Sequence, residues 1–208
     1  MKIENIEPKD IEAKSFELIE AELASDLDPV LKPIIKRCIY TTADFDYATS
    51  MAFSENVVEK ALAAIKDGAH IITDTNMVKA GINKRALAQF GGEVHCFISD
   101  ENVAQEARER GVTRAIVSME RAAAMDKKLI FAIGNAPTAL IQLHEMIEAG
   151  KIKPELVIGV PVGFVNVVTS KNLIMSTDVP YIVAKGRKGG SNVAAAICNA
   201  LIYMLTRA

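Results

Sequence analysis

The sequence predicts a doubly wound α/β domain, three layers thick, with a mostly parallel sheet between helices. Three observations lead there. Short β-branched runs alternate along the chain with longer segments of helical period. Several of these runs are apolar on successive residues, which suits burial on both faces of a sheet, and the alternation implies right-handed parallel crossovers. The unusual glycine-, asparagine- and serine-rich turns fall just after the runs, where open α/β sheets bind their ligands.

The elements follow in order. A first helix passes through Ile11, Ser15, Leu18, Ile19 and Leu23, and a second, short one starts at Pro29 and carries Ile34, Ile35, Arg37 and Tyr40. Ser54 reads as the N-cap of a helix running to Gly68, and Ile71-Ile72-Thr73 reads as a strand. Further strands are expected at Val94 to Ile98, Ala115 to Ser118, Leu129 to Ile133, Leu156 to Val160 and Tyr181 to Ala184. Helices fit between them at Lys84 to Phe90, Asp100 to Arg110, Pro137 to Ala149 and Val165 to Leu173, and a last one starts at Ser191. With no repeat, low-complexity segment or long linker, residues 1–208 read as one domain.

Composition narrows the function. Of 208 residues, 50% are hydrophobic, and 24 Lys+Arg oppose 26 Asp+Glu for a net charge of -2, so no overall field attracts nucleic acid or an acidic membrane. Aromatics are 5% with no Trp, which disfavours base-stacking platforms. The charge is nevertheless uneven: residues 151–192 hold six basic side chains against two acidic ones, so an anionic partner would be held by a local cluster. Cys38, Cys96 and Cys198 are odd in number and far apart, as expected of reduced thiols in a cytoplasm. The charged N-terminus lacks the apolar core of a signal peptide, and the longest apolar run, Val193 to Leu205, is too short to span a bilayer and is interrupted by Asn199.

The strongest local signal is Lys185-Gly186-Arg187-Lys188-Gly189-Gly190-Ser191-Asn192, which follows a strand and opens a helix. Glycines let backbone N–H groups approach a ligand, the helix N-terminus favours negative charge, and Arg187 and Lys188 add full charges. The plainer alternative is a solvated strand-to-helix turn. Neither a P-loop nor a Gly-x-Gly-x-x-Gly fingerprint is present. Gly134-Asn135-Ala136-Pro137-Thr138 is a second strand-end turn, for which capping by Asn135 is a sufficient explanation. In Gly159-Val160-Pro161-Val162-Gly163-Phe164-Val165-Asn166, the spacing of Asn166 and Ser170 puts both on one helical face, able to point to the same cleft. Asp74 ends another strand, where it can order neighbouring N–H groups, meet a basic side chain or simply cap a helix. Arg37 and Tyr40 are three apart and project together if helical. His70, His95 and His144 show no metal-ligand spacing, and there is no Gly-x-Ser-x-Gly elbow. Together these features suit a large polyanionic organic ligand with mild proton-transfer chemistry.

Five segments in order resemble the precorrin-8X methylmutase family, also called cobalt-precorrin-8 methylmutase or precorrin isomerase: TTADFDYA, ITDTNMV followed by AGI, AIGNAPTAL, IGVPVGFVNVVTSK and GRKGGSNVAAA. The resemblance extends from Lys14-Ser15-Phe16 to the last helix. It implies a flavodoxin-like fold, a homodimer with active sites near the subunit interface, no cofactor and no metal. The implied reaction moves a methyl group from C-11 to C-12 of the corrinoid macrocycle. The family's substrate-contacting Ser matches Ser15 and its Arg matches Arg37, but where the family usually has a proton-donating His, three residues after that Arg, this chain has Tyr40. A phenol, with an unperturbed pKa of about 10 against about 6.5 for imidazole, is a far weaker acid, yet it still donates a hydrogen bond. The expected site therefore has Tyr40 as the catalytic residue, with Ser15, Arg37, Thr42, Asp74 and Asn135 binding substrate. Asn166, Ser170, Arg187, Lys188, Gly189, Gly190 and Ser191 complete the binding set. Two alternatives stay open: a non-catalytic corrinoid carrier, suggested by the missing His, and a phosphate- or nucleotide-binding module built on the GRKGGSN turn.

Overall fold

A computed structural model describes residues 5–23 and 27–207. The β-branched runs form β1 (Met51–Phe53), β2 (His70–Thr73), β3 (Val94–His95), β4 (Leu129–Ile133), β5 (Leu156–Gly159) and β6 (Tyr181–Ala184). They make one sheet in the order β1-β6-β5-β4-β2-β3. Every neighbouring pair is parallel except β1 with β6. The parallel strands alone, numbered among themselves along the chain, run 2-1-3-4-5, the flavodoxin-like order, and the winding reverses between β2 and β4.

Alternation along the strands feeds two cores. On one face Ile71, Ile130, Ala132, Ile158 and Ile182 meet α2 (Lys32–Thr42), α4 (Val57–Lys66), α5 (Asn76–Gly81), α6 (Lys84–Leu87) and the long α11 (Ser191–Thr206). On the other, Ile72, Phe131, Ile133, Val157 and Val183 meet α8 (Arg114–Ala123), α9 (Pro137–Glu148) and α10 (Val167–Met175). Short α3 (Tyr47–Ser50) leads into β1, a 3₁₀ turn (Ala88–Phe90) follows α6, and α7 (Glu101–Arg110) packs on α8 through Val103, Ala107 and Val117. Helix α1 (Ile11–Glu22) lies against α2 and has no fully buried residue. Among the described residues no helix is long and apolar enough to cross a membrane.

The predicted three-layer architecture holds, with local corrections. Ala115–Ser118 is helical, not a strand: Thr113 caps α8 by accepting from Ile116 N–H, and the buried residues continue at helical spacing to Met119 and Ala122. Strand β3 stops at His95 rather than Ile98. The helix expected from Pro29 starts at Lys32, with Pro33 in its first turn. Ser54 does not cap α4. Asn56, left-handed at φ 55, precedes the helix, while the Ser54 hydroxyl accepts from Tyr181 N–H and fastens the edge of β6. The antiparallel β1 and helix α5 were not expected, and α10 begins at Val167 because Asn166 is left-handed at φ 58.

Candidate active site

The turns beyond the carboxyl ends of β2, β4, β5 and β6 lie on the same edge of the sheet as the winding reversal, and hydrogen bonds lock them together. Asp74 follows β2 and is buried. Its carboxylate accepts from the N–H groups of Gly134 (3.0 Å), Asn135 (2.7 Å) and Ala136 (2.7 Å) beyond β4. Burial pushes its carboxyl above the ordinary aspartate value, and the three donors pull it back. Of the expected roles, ordering N–H groups is the one its geometry fulfils; Thr75, not Asp74, caps α5. Gly134 has room for no side chain, since a Cβ there would lie 2.7 Å from the Ser191 Cα.

The GRKGGSN turn after β6 is built on two glycines. Gly189 and Gly190 take φ 154 and 139, and a Cβ on Gly189 would fall 2.1 Å from the Val160 carbonyl oxygen. Gly190 N–H donates to that same oxygen (2.8 Å), and Gly163 N–H donates to the Arg187 carbonyl (3.1 Å). The turn is therefore sewn to the β5 turn, while Ser191 Oγ lies 3.0 Å from Thr75 Oγ1.

Beneath this turn lies a residue that the sequence reading did not single out. Lys171 is fully buried, and its ammonium donates to the carbonyls of Gly186 (2.9 Å) and Lys188 (2.8 Å). No carboxylate pairs with it among the described residues, and burial lowers its pKa to about 8. A cation thus holds the turn's carbonyls inward, which leaves the turn electropositive from within as well as from its surface residues.

Those surface residues are in different states. Lys188 pairs with Asp44 and Asp46, each at 2.6 Å, which holds its pKa up, lowers that of Asp44 and ties the α2–α3 connection to the glycine turn. Thr42 supports that connection by donating to the Cys38 carbonyl (2.7 Å) and accepting from Asp44 N–H (3.2 Å). The Arg187 guanidinium lies 5.3 Å over the ring of Phe164, which is itself 82% exposed.

Arg37 and Tyr40 stand one turn apart on α2. Arg37 donates to Glu12 (2.6 Å) and lies between the rings of Phe16 (5.1 Å) and Tyr203 (5.0 Å). Tyr40 is 40% exposed, with its ring 5.3 Å from that of Phe16. It lies between two hollows. One, about 230 Å³, is shared with Arg37, Asn192 and Asn199; the other, about 280 Å³, is shared with Ser15, Ile39 and Phe45. Ser15 spends its hydroxyl proton on the Ile11 carbonyl (2.8 Å), leaving oxygen lone pairs to accept.

The structure thus brings Ser15, Arg37 and Tyr40 together, and joins Thr42 to Lys188 through Asp44. Asn135 and Asn166 are exposed on separate strand-end turns. Ser170 departs from the expectation that it shares a cleft with Asn166. It is fully buried and donates to Val167 (2.9 Å), because the face of α10 that carries it packs on the sheet. Cys38 and Cys198 are buried thiols pushed up to about 12, so neither is a nucleophile at neutral pH. His70 and His95, 25 residues apart and without ligand spacing in sequence, face each other across β2 and β3 at 2.9 Å.

Comparison with known proteins agrees with this geometry. The family model for precorrin-8X methylmutase matches residues 10–204. The cobalt-precorrin-8 methylmutase of Salmonella typhimurium is 44% identical over 97% of this chain and 98% of its own length, and that of Priestia megaterium is 43% identical over 94% and 88%. The precorrin-8X methylmutase of Pseudomonas aeruginosa is 37% identical over 90% of this chain and 91% of its own. Among solved structures, the precorrin-8X methyl mutase of Thermus thermophilus superposes with a TM-score of 0.86 at 38% identity, covering 95% of this chain and 98% of that one. Matches of this length, on a sheet whose strand ends gather the motif residues, leave one conclusion: the chain belongs to the precorrin-8X methylmutase family.

Proposed function

We propose that the chain is an isomerase of corrin-ring biosynthesis that moves a methyl group from C-11 to C-12 of precorrin-8 or cobalt-precorrin-8, giving hydrogenobyrinic or cobyrinic acid. The observation that carries the reading is the family match over residues 10–204. The grouping of Ser15, Arg37 and Tyr40 beside the N-terminal turns of α11 supports it. The reaction is internal to the substrate: the bond from the methyl carbon to C-11 breaks, the bond to C-12 forms, and the ring's double bonds shift without net loss of a proton. The protein must therefore hold one tautomer and orient it. Tyr40 supplies a hydrogen bond to the macrocycle that favours that tautomer, with no need to release its proton fully. Help of this kind is worth about 10²–10⁴-fold, with orientation supplying much of the rest.

Substrate carboxylates are received by the glycine turn, with Arg187, which pairs with no carboxylate among the described residues, meeting them directly. Arg37 and Lys188 meet them by sharing or exchanging Glu12, Asp44 and Asp46. A homodimer in the cytoplasm belongs to the same reading. The exposed Val162, Phe164 and Val165 at the end of β5 form an apolar rim suited to burial against a second copy. The test is an absorbance assay with the tetrapyrrole substrate on wild type, Tyr40→Phe and Tyr40→His. Conversion of the chromophore, slowed in Tyr40→Phe, is expected. Binding without conversion by the wild type would make the protein a carrier, and full-speed turnover by Tyr40→Phe would remove Tyr40 from the chemistry.

A further inference from the structure

One side-chain cluster lies outside every turn and hollow described above, on the edge pair β2–β3. His70 opens β2, His95 closes β3, and Glu93 immediately precedes β3. The parallel register pairs Ile71 with Val94 and Ile72 with His95. Because side chains alternate along a strand, His70, Glu93 and His95 therefore project from the same face. His70 Nδ1 lies 2.9 Å from His95 Nε2, and that nitrogen lies 3.7 Å from Glu93 Oε2. One donor atom from each residue falls within 4.8 Å of the other two.

We propose that His70, His95 and Glu93 form a binding site for a first-row divalent cation of the zinc class. Two imidazole nitrogens and one carboxylate oxygen are the borderline donors such an ion selects, and they leave a fourth position for water. With bonds of about 2.0–2.2 Å, tetrahedral donors sit roughly 3.3–3.6 Å apart. The observed 2.9 and 3.7 Å bracket that spacing, and the third separation, between His70 and Glu93, lies within 4.8 Å and closes by rotation of the exposed Glu93 side chain. The supporting contacts also fit: the His95 ring stacks on Phe97 (6.2 Å between centroids, 11° apart), and Thr73 Oγ1 donates to the His95 carbonyl (3.2 Å). One imidazole now donates a proton to the other. On binding, the donor ring shifts its proton to its far nitrogen, and the ion takes the place between them. The Glu93 carboxylate offsets part of the charge that the ion brings. The ion would clamp β3, a two-residue edge strand, to β2.

The test is titration of untagged full-length protein with Zn²⁺ by calorimetry and with Co²⁺ by visible absorption, with Mg²⁺ as the control. The expected result is one Zn²⁺ or Co²⁺ per chain, the visible band of four-coordinate Co²⁺, and no response to Mg²⁺. Affinity should fall at least about tenfold in His95→Ala and in Glu93→Gln, with circular dichroism confirming that both remain folded. Cys96 is partly exposed and adjacent to His95 but does not belong to the group of mutually close donor atoms, so Cys96→Ser should bind as the wild type does. Absence of stoichiometric binding to the wild type would overturn the proposal. So would binding that survives His95→Ala, or binding lost in Cys96→Ser with a near-ultraviolet thiolate band in the parent.

Discussion

Replacing Lys171 with methionine separates the cost of a buried cation from its use. The methionine fills similar volume but carries no charge, and the Gly186 and Lys188 carbonyls lose their shared donor. In the folded wild type the Lys171 amine titrates at about 8, against 10.5 when exposed. The sign follows directly. Between these values the unfolded chain binds more protons than the folded one, so folding stability rises with pH through this window. Integrated from pH 7 to pH 10, the gain is about 2.5 kcal/mol, with a slope on the order of 1 kcal/mol per pH unit. Lys171→Met has no such group, so the stability of the wild type minus that of the variant should climb by that amount, other titrations cancelling. At pH 7 the two should differ by no more than about 2 kcal/mol, because relief of the charge offsets two lost charge-assisted hydrogen bonds. Affinity for a polycarboxylate corrinoid should fall by about tenfold, since one cation beneath the turn is gone. Urea denaturation at pH 7, 8, 9 and 10 reads the first effect. A difference constant within about 0.5 kcal/mol over that range would show that the ammonium is not sealed from water, and the account of the turn would fail.

Other substitutions probe the remaining contacts. Gly189→Ala forces a Cβ against the Val160 carbonyl in a backbone region closed to alanine and should cost about 3 kcal/mol or more by chemical denaturation, with loss of substrate binding. Asp74→Asn places an amide opposite three N–H donors and should destabilise by about 2–4 kcal/mol, visible as a drop in Tm without a change in the number of substrate sites. Lys188→Ala removes two exposed ion pairs and should leave the denaturation midpoint nearly unchanged, while the salt dependence of corrinoid binding becomes shallower.

What the sequence made legible was what is local. Leu129–Ile133 and Leu156–Val160 announce buried strands because every residue is apolar, and the glycines of GRKGG announce a backbone no other residue adopts. Ala115–Ser118 misleads because four apolar or small residues fit a strand as well as a helix; the cap at Thr113 and the continuation to Met119 and Ala122 decide it. Lys171 did leave a signal. It falls in phase with Val167, Ser170 and Ile174, the buried stripe of α10, so a charged residue was sitting on an apolar face. The bond from Asp74 to Gly134 spans sixty positions and depends on which strands become neighbours, which no local pattern encodes. The same holds for His70 and His95, which become adjacent only when β3 turns back beside β2.

The way α1 is held has a consequence for motion. Among the described residues Ile19 and Leu23 reach the core from this region, and much of the remaining attachment is ionic: Glu12 is shared between Arg37 (2.6 Å) and Arg207 (3.0 Å), Glu20 pairs with Lys32 and with Lys36 (2.8 Å), and Phe16 lies under Arg37 and against Tyr40. Such contacts are screened by salt, whereas the apolar faces of β4 are not. Amide hydrogens of α1 should therefore exchange by local opening well before those of β4, and faster still at high ionic strength. Ser15 rides on that helix, so one wall of the hollow beside Tyr40 belongs to an element with no buried residue, and it can part from Tyr40 without disturbing the sheet.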